Sequence, residues 1–143
     1  MEKLKYTEIL QLNKELAKEN YNNEFSAKIL SNVTVNSFKE IFEYSLRLKK
    51  INPIIEIGNF DNIVQDSLTS SNHNLVFVFY DILNIVDNVS TYFESLNENS
   101  ILELEQKIKS EIDLIIFNLR ATPTVIFSTF SASSIVSPFV NTT

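Results

Sequence analysis

The sequence predicts an α/β domain: a parallel sheet of about four strands with helices on both faces, Rossmann-like or flavodoxin-like in its three layers, preceded by an N-terminal helix. Three observations predict it. Short apolar runs alternate with stretches of helical periodicity, and the connections between them are short. The central run, Leu75-Val76-Phe77-Val78-Phe79, is apolar without interruption, as a parallel strand buried on both faces requires. A chain of 143 residues with 44% hydrophobic content is long enough and apolar enough for one sizeable core.

The first segment, about Lys3 to Glu19, sets Ile9, Leu12 and Leu16 at helical spacing among charges, an amphipathic helix with a polar stop at Asn20-Tyr21-Asn22-Asn23. Residues 1–26 are thus read as this helix and a linker, 27–130 as the α/β domain, and 131–143 as an irregular tail. Ala27 to Ser31 is a short buried strand. Ser37 and Glu40 have capping-box spacing, opening a helix whose Phe38, Ile41, Phe42 and Leu46 share a face.

Pro53 to Gly58 reads as the second strand, followed by a helix from Asn59 or Asp61 with Phe60, Val64 and Leu68 on one side. Leu75 to Phe79 is the third. After Asp81 the run ILNIVDNVSTYFESL reads as a loop and a short helix packing beside the site. Ser100 and Glu103 again fit a capping box, and Ile101, Leu104, Ile108, Ile112, Ile115 and Leu119 carry a helical stripe to Arg120. Pro123 stops that helix, and Thr124 to Ser128 is the fourth strand. Sheets of this kind often have a fifth strand, so the chain reads as cut short.

Composition excludes several functions. With 12 Lys and Arg against 18 Asp and Glu, a net charge of -6, and no basic stripe, nucleic-acid binding is disfavoured. The absence of cysteine rules out disulfides, a thiolate zinc site and a cysteine nucleophile. No stretch resembles a signal peptide core or a membrane span, so a soluble cytoplasmic protein is expected. One glycine, Gly58, leaves neither a dinucleotide fingerprint nor a P-loop possible. The sole histidine, His73, lies in the polar stretch LTSSNHN and is expected as an exposed loop residue rather than a catalytic base.

In open parallel sheets ligands bind beyond the carboxyl ends of the strands. Those ends deliver Ser31, Asn32 and Thr34 after the first strand, Asn59 and Asp61 after the second, Asp81 after the third, and Ser128 and Thr129 after the fourth. Ser31, Asn32, Thr34, Asn59, Asp61, Asp81 and Thr129 are the candidate ligand-binding residues of a small polar pocket. The same residue types also cap helices and make turns, but Asn32 and Thr34 precede the cap expected at Ser37. Gly58 beside Asn59 serves either close backbone approach or a simple turn.

Asp81 with Asp87, or Asp61 with Asp66, is a weak magnesium signature, and no metal or other cofactor is expected. Phe38, Phe42, Phe77 and Phe79 are expected in the core. Phe130, Ile135, Val136, Phe139 and Val140 are off any periodic element, and are candidates for a patch that folds back on the sheet or docks on a second copy, a possible homodimer.

The motif order ILSNVTVNSFKEIFEYSL, INPIIEIGNFDNIVQDSL, a polar loop, LVFVFYDI, a long helix and TVIFSTF resembles the N-terminal domain of FkbH-like proteins. The resemblance covers about Ala27 to Phe130. It implies a biosynthetic setting, the making of glyceryl units on acyl carrier proteins or a surface-polysaccharide pathway, with an acyl carrier protein or a phosphatase domain as partner. Longer members continue into a haloacid-dehalogenase-type phosphatase domain with a DxD nucleophile and magnesium site. No DxD pair follows a strand here, so that activity is not carried over.

The N-terminal domain of such proteins also resembles the SGNH hydrolase fold, which implies Ser31 as the analogous nucleophile. The Gly-Asp-Ser pattern and the DxxH pair of that fold are absent. The expectation is therefore a non-catalytic accessory or binding module, with a degenerate esterase or acyltransferase using Ser31, and Asp81, Asp61 or another chain as base, as the alternative.

Overall fold

The structure, a computed structural model, describes residues 2–82 and 97–130. The readings made for 83–96 and for the tail at 131–143 lie outside the described residues. The described elements are α1 (Tyr6–Leu16), β1 (Asn23–Ser31), α2 (Asn36–Leu48), β2 (Ile51–Ile57), α3 (Ile63–Ser67), β3 (Leu75–Asp81), α4 (Glu98–Asn118) and β4 (Thr124–Phe130). All four strands are parallel, in the order β2-β1-β3-β4. The chain moves outward from β1 to β2, then crosses to β3 on the other side of β1. The strand order therefore reverses between β1 and β3.

Alternation along β1 and β3 divides the core into two faces. Ala27, Ile29, Leu75 and Phe77 point to the α2 side with Ile55, where Phe38, Phe42, Leu46 and Phe79 pack against them. The four expected core phenylalanines form one cluster: the Phe38 ring meets Phe77 and Phe79 edge-on, each with centroids 4.9 Å apart, and Phe42 meets Phe77 at 5.1 Å. Leu30, Val76, Val78 and Tyr80 point the other way, onto Ile63 of α3, Ile115 of α4 and Leu119 at its C-cap. β3 is buried on both faces through Val78, as its unbroken apolar run predicts. Each fully buried aliphatic side chain on these faces contributes about 1.5–3 kcal/mol.

The stripe predicted for α4 is the one it buries: Ile108 and Ile112 are half-buried and Ile115 and Leu119 fully so. α1 packs on α2 rather than on the sheet. Its only buried side chain, Asn13, accepts a hydrogen bond of 2.5 Å from the Arg47 guanidinium, which also pairs with Glu43 at 3.4 Å.

Several local expectations are corrected. β1 begins at Asn23, four residues before Ala27, because Asn23 to Phe25 pair with Ile51 to Pro53 of β2. The side chain of Asn52 fixes that entry, donating to the Tyr21 carbonyl at 2.6 Å and to Asn20 at 2.9 Å. Pro53 sits on the edge strand, where a missing N–H is tolerated.

Neither expected capping box forms. α2 starts at Asn36 with buried Val35 before it, leaving Ser37 inside the first turn without a capping role. In α4 the cap is Asn97, whose carboxamide accepts from the Ser100 N–H at 2.8 Å. α3 buries Ile63 and Ser67, while Phe60 and Leu68 are exposed. Asp61 adopts a φ of 55°, a left-handed conformation that a helix cannot include, so α3 starts only after it.

Candidate binding site at the carboxyl ends of the strands

Asn32 follows the last residue of β1 and is 1% exposed. Its side chain behaves as one more residue of the ladder. The carboxamide oxygen accepts from the Asp81 N–H at 2.7 Å, the amide donates to the Asp81 carbonyl at 2.9 Å, and the Asn32 N–H donates to the Phe79 carbonyl at 3.2 Å. A polar group this deeply buried is tolerable only with such partners. Asn32 thereby clasps β1 to β3 at the strand-order reversal.

Ser31 is 4% exposed and its hydroxyl donates to the Val33 carbonyl at 2.8 Å, closing a tight turn. The Ser31 carbonyl accepts from the Asp61 N–H at 3.1 Å, which pins Asp61 in its left-handed conformation. Gly58 donates to the Ile29 carbonyl at 2.8 Å. A Cβ there would stand 2.7 Å from Asp66 Oδ2 and 2.9 Å from Leu30 Cδ2. Close approach, not a positive φ, is what requires the glycine.

Asp66 uses both carboxylate oxygens at this corner, accepting from the Asn59 N–H at 2.7 Å and from Asn62 Nδ2 at 3.1 Å. Both are internal bonds of the loop. The pairing imagined between Asp61 and Asp66 is not made through either side chain, and among the described residues no three metal-ligating side chains converge.

Two hollows flank the end of β1. One, of about 180 Å³, lies between β1, β3, α3 and α4 and is lined by Asn32, Asp61, Asn62, Gln65, Tyr80 and Glu111 together with Ile63 and Val64. The other, of about 240 Å³, is more apolar and includes Ser31, Thr34, Ile57 and Phe60. Both are smaller than the usual small-molecule pocket, of about 300 Å³ or more.

The polar hollow contains a hydrogen bond from the Tyr80 hydroxyl to Glu111 Oε2 of 2.5 Å. Burial, and then the bond to Glu111 and its negative charge, push the phenol far above its ordinary value. Tyr80 is therefore a fixed donor near neutral pH and not a proton shuttle.

The structure brings Asn32 and Asp61 into one hollow and Ser31 and Thr34 into the other. Asp81 meets the first of these through Asn32. Asn59 is exposed and tied to Asp66, and Thr129 is exposed on β4 beside Tyr80 in the register; neither lines either of these two hollows. His73 is not an exposed loop residue: its ring is half-buried, with Nδ1 3.0 Å from the Ser70 carbonyl and Nε2 3.2 Å from Glu56 Oε2, before the start of β3 and away from the carboxyl rim.

Sequence reasoning missed Tyr80, Glu111, Asn62 and Gln65. Glu111 had a usable signal. It sits between Ile108 and Ile112, so an acidic residue falls on the inward stripe of an otherwise apolar helix face.

No protein-family model matches the chain, and no curated protein matches it either. Among solved structures, the N-terminal part of the protein BF1531 from Bacteroides fragilis, containing a phosphatase domain and complexed with Mg, has the same fold with a TM-score of 0.65 at 9% identity. The match covers 98% of this chain and 37% of that one, so this chain spans little more than a third of that structure. At this identity the likeness speaks for the fold, an α/β Rossmann-like domain with an N-terminal helix.

Proposed function

We propose that the chain is a non-catalytic α/β binding or accessory module of the kind that FkbH-like proteins carry at their N-terminus, with its site at the carboxyl rim of β1 and β3. The observation that carries this is the state of the rim. Polar side chains converge there, yet Ser31 is buried with its hydroxyl donated to Val33, and the chain's one histidine is occupied elsewhere. The motif order and the fold likeness to a phosphatase-bearing protein support the FkbH-like assignment. A phosphatase domain or an acyl carrier protein is the proposed partner, with self-association through the tail as a further possibility, in a cytoplasmic biosynthetic setting. No helix among the described residues is long and apolar enough to cross a membrane.

Two measurements test this. Short-chain aryl esters are expected to show no turnover above background; turnover abolished by Ser31→Ala sinks the non-catalytic reading and revives the esterase alternative. Co-elution of the chain with an FkbH-type phosphatase domain, weakened by substitutions at Asp61, is the expected positive result. Binding unaffected by any rim substitution moves the site elsewhere.

A further inference from the structure

We propose that β4 is an interface: two copies of this chain pair their β4 edges antiparallel about a two-fold axis at Ile126, joining the two sheets into one. The rim site takes no part in this contact. β4 has β3 on one side and, among the described residues, no strand on the other. Alternation places Val125 and Phe127 on the α4 side, in register with Val76 and Val78. Thr124, Ile126 and Ser128 lie on the α2 side, in register with Leu75, Phe77 and Phe79. Val125 is 36% exposed and Ile126 47%, so the edge shows apolar surface on both faces beside its unpaired backbone groups. Such an edge is a template for another strand.

The two edges of the sheet are built differently. β2 carries Pro53, which has no N–H to give a new neighbour, and Glu56, whose side chain is 54% exposed. β4 has no charge, proline or glycine along its length, and residues 121–143 contain no Asp, Glu, Lys, Arg or His. In a chain of net charge -6, this edge lets two copies meet without like charges facing each other, and it offers a charged partner nothing to pair with. Self-pairing also has a register that fits. With Ile126 opposite Ile126 of the second copy, Val125 stands opposite Phe127 and Thr124 opposite Ser128. An aliphatic pair, an aromatic residue with a β-branched one, and two hydroxyls thus face each other, the combinations that stabilise antiparallel strands. With the β2 edge guarded, each copy has one edge to offer, so the assembly closes at two.

The test is sedimentation equilibrium of the full chain, with amide hydrogen exchange read at β4. A dimer is expected, its β4 amides exchanging more slowly as the concentration rises. Ile126→Lys sets two ammonium groups opposite each other and is expected to weaken the dimer by about tenfold or more. Ile54→Lys, at a similarly exposed position on β2, is expected to leave it unchanged. Mixing Ile126→Lys with Ile126→Glu is expected to restore the dimer, because the register brings the two charges face to face. If neither variant folds, the concentration dependence of β4 exchange in the unaltered chain decides. A chain that stays monomeric to about 1 mM overturns the interface, and β4 amides protected in that monomer assign the edge to residues 131–143 instead. A dimer indifferent to Ile126→Lys, variants that do not rescue each other, or β4 exchange independent of concentration refutes it equally. The rim reading survives each of these results.

Discussion

Asn32 and Asp81 are joined by two hydrogen bonds in which a side chain stands in for a strand backbone, 2.7 Å from the Asp81 N–H and 2.9 Å from its carbonyl. Asn32→Ala leaves two backbone groups without these partners where the strand order reverses, each worth about 1–3 kcal/mol. A loss of about 2–4 kcal/mol is expected in urea unfolding, with Asn32→Asp also destabilising because it sets a carboxylate against the Asp81 carbonyl. A variant as stable as the parent refutes the clasp.

Gly58→Ala drives a methyl group into Asp66 Oδ2 and Leu30. The expected cost is about 1–3 kcal/mol. Because Asp66 is the nearest obstacle, Asp66→Ala in the same chain relieves part of the clash, and the two changes are expected to be non-additive in a double-mutant cycle. Strict additivity places the constraint elsewhere.

Tyr80→Phe keeps the ring and removes the donor to Glu111, at an expected cost of about 1–2 kcal/mol. The same bond sets a spectroscopic signature. In an alkaline titration at the phenolate absorbance band, one tyrosine is expected to resist ionisation well beyond the others, and that component disappears in Tyr80→Phe.

Glu56 receives hydrogen bonds from Lys28 and His73, each at 3.2 Å, which hold its carboxyl below the usual carboxylate range. A depressed carboxylate stabilises the fold fully above its unfolded pKa and loses that contribution as pH falls through the folded value. The side chain is 54% exposed, so the contribution is under about 1 kcal/mol. Glu56→Gln is expected to be slightly less stable than the parent at pH 7, the gap closing as the pH falls through the folded value; a gap that persists in strong acid assigns the effect to something other than this charge.

What the sequence made legible was what repeats locally. The unbroken run at Leu75 to Phe79 and the stripe from Ile101 to Leu119 each encode burial through spacing alone, and both survive in the structure. The clasp does not have that character, since its partners are 49 positions apart. Asn32 looked like a free rim residue because nothing beside it in the chain reveals Asp81. The capping boxes failed for a related reason: the pattern at Ser37 was sound, but burial of Val35 starts the helix earlier. At Asp61 a left-handed backbone, invisible in a string of letters, shortened a helix whose apolar spacing looked regular.

The placement of α1 sets the order in which the domain opens under native conditions. No α1 residue belongs to either core cluster, its apolar residues Ile9, Leu12 and Leu16 are only half-buried, and its hydrogen bonds to α2 join Asn13 to Arg47 and Tyr6 to Glu40. Once undocked, an isolated helix of 11 residues is marginal in water and unwinds, so its amide protons reach solvent without the sheet opening, whereas those of β1, hydrogen-bonded to strands on both sides, exchange only when the sheet itself comes apart. The N-terminal helix is thus a separately melting tier on a sheet that opens as a unit.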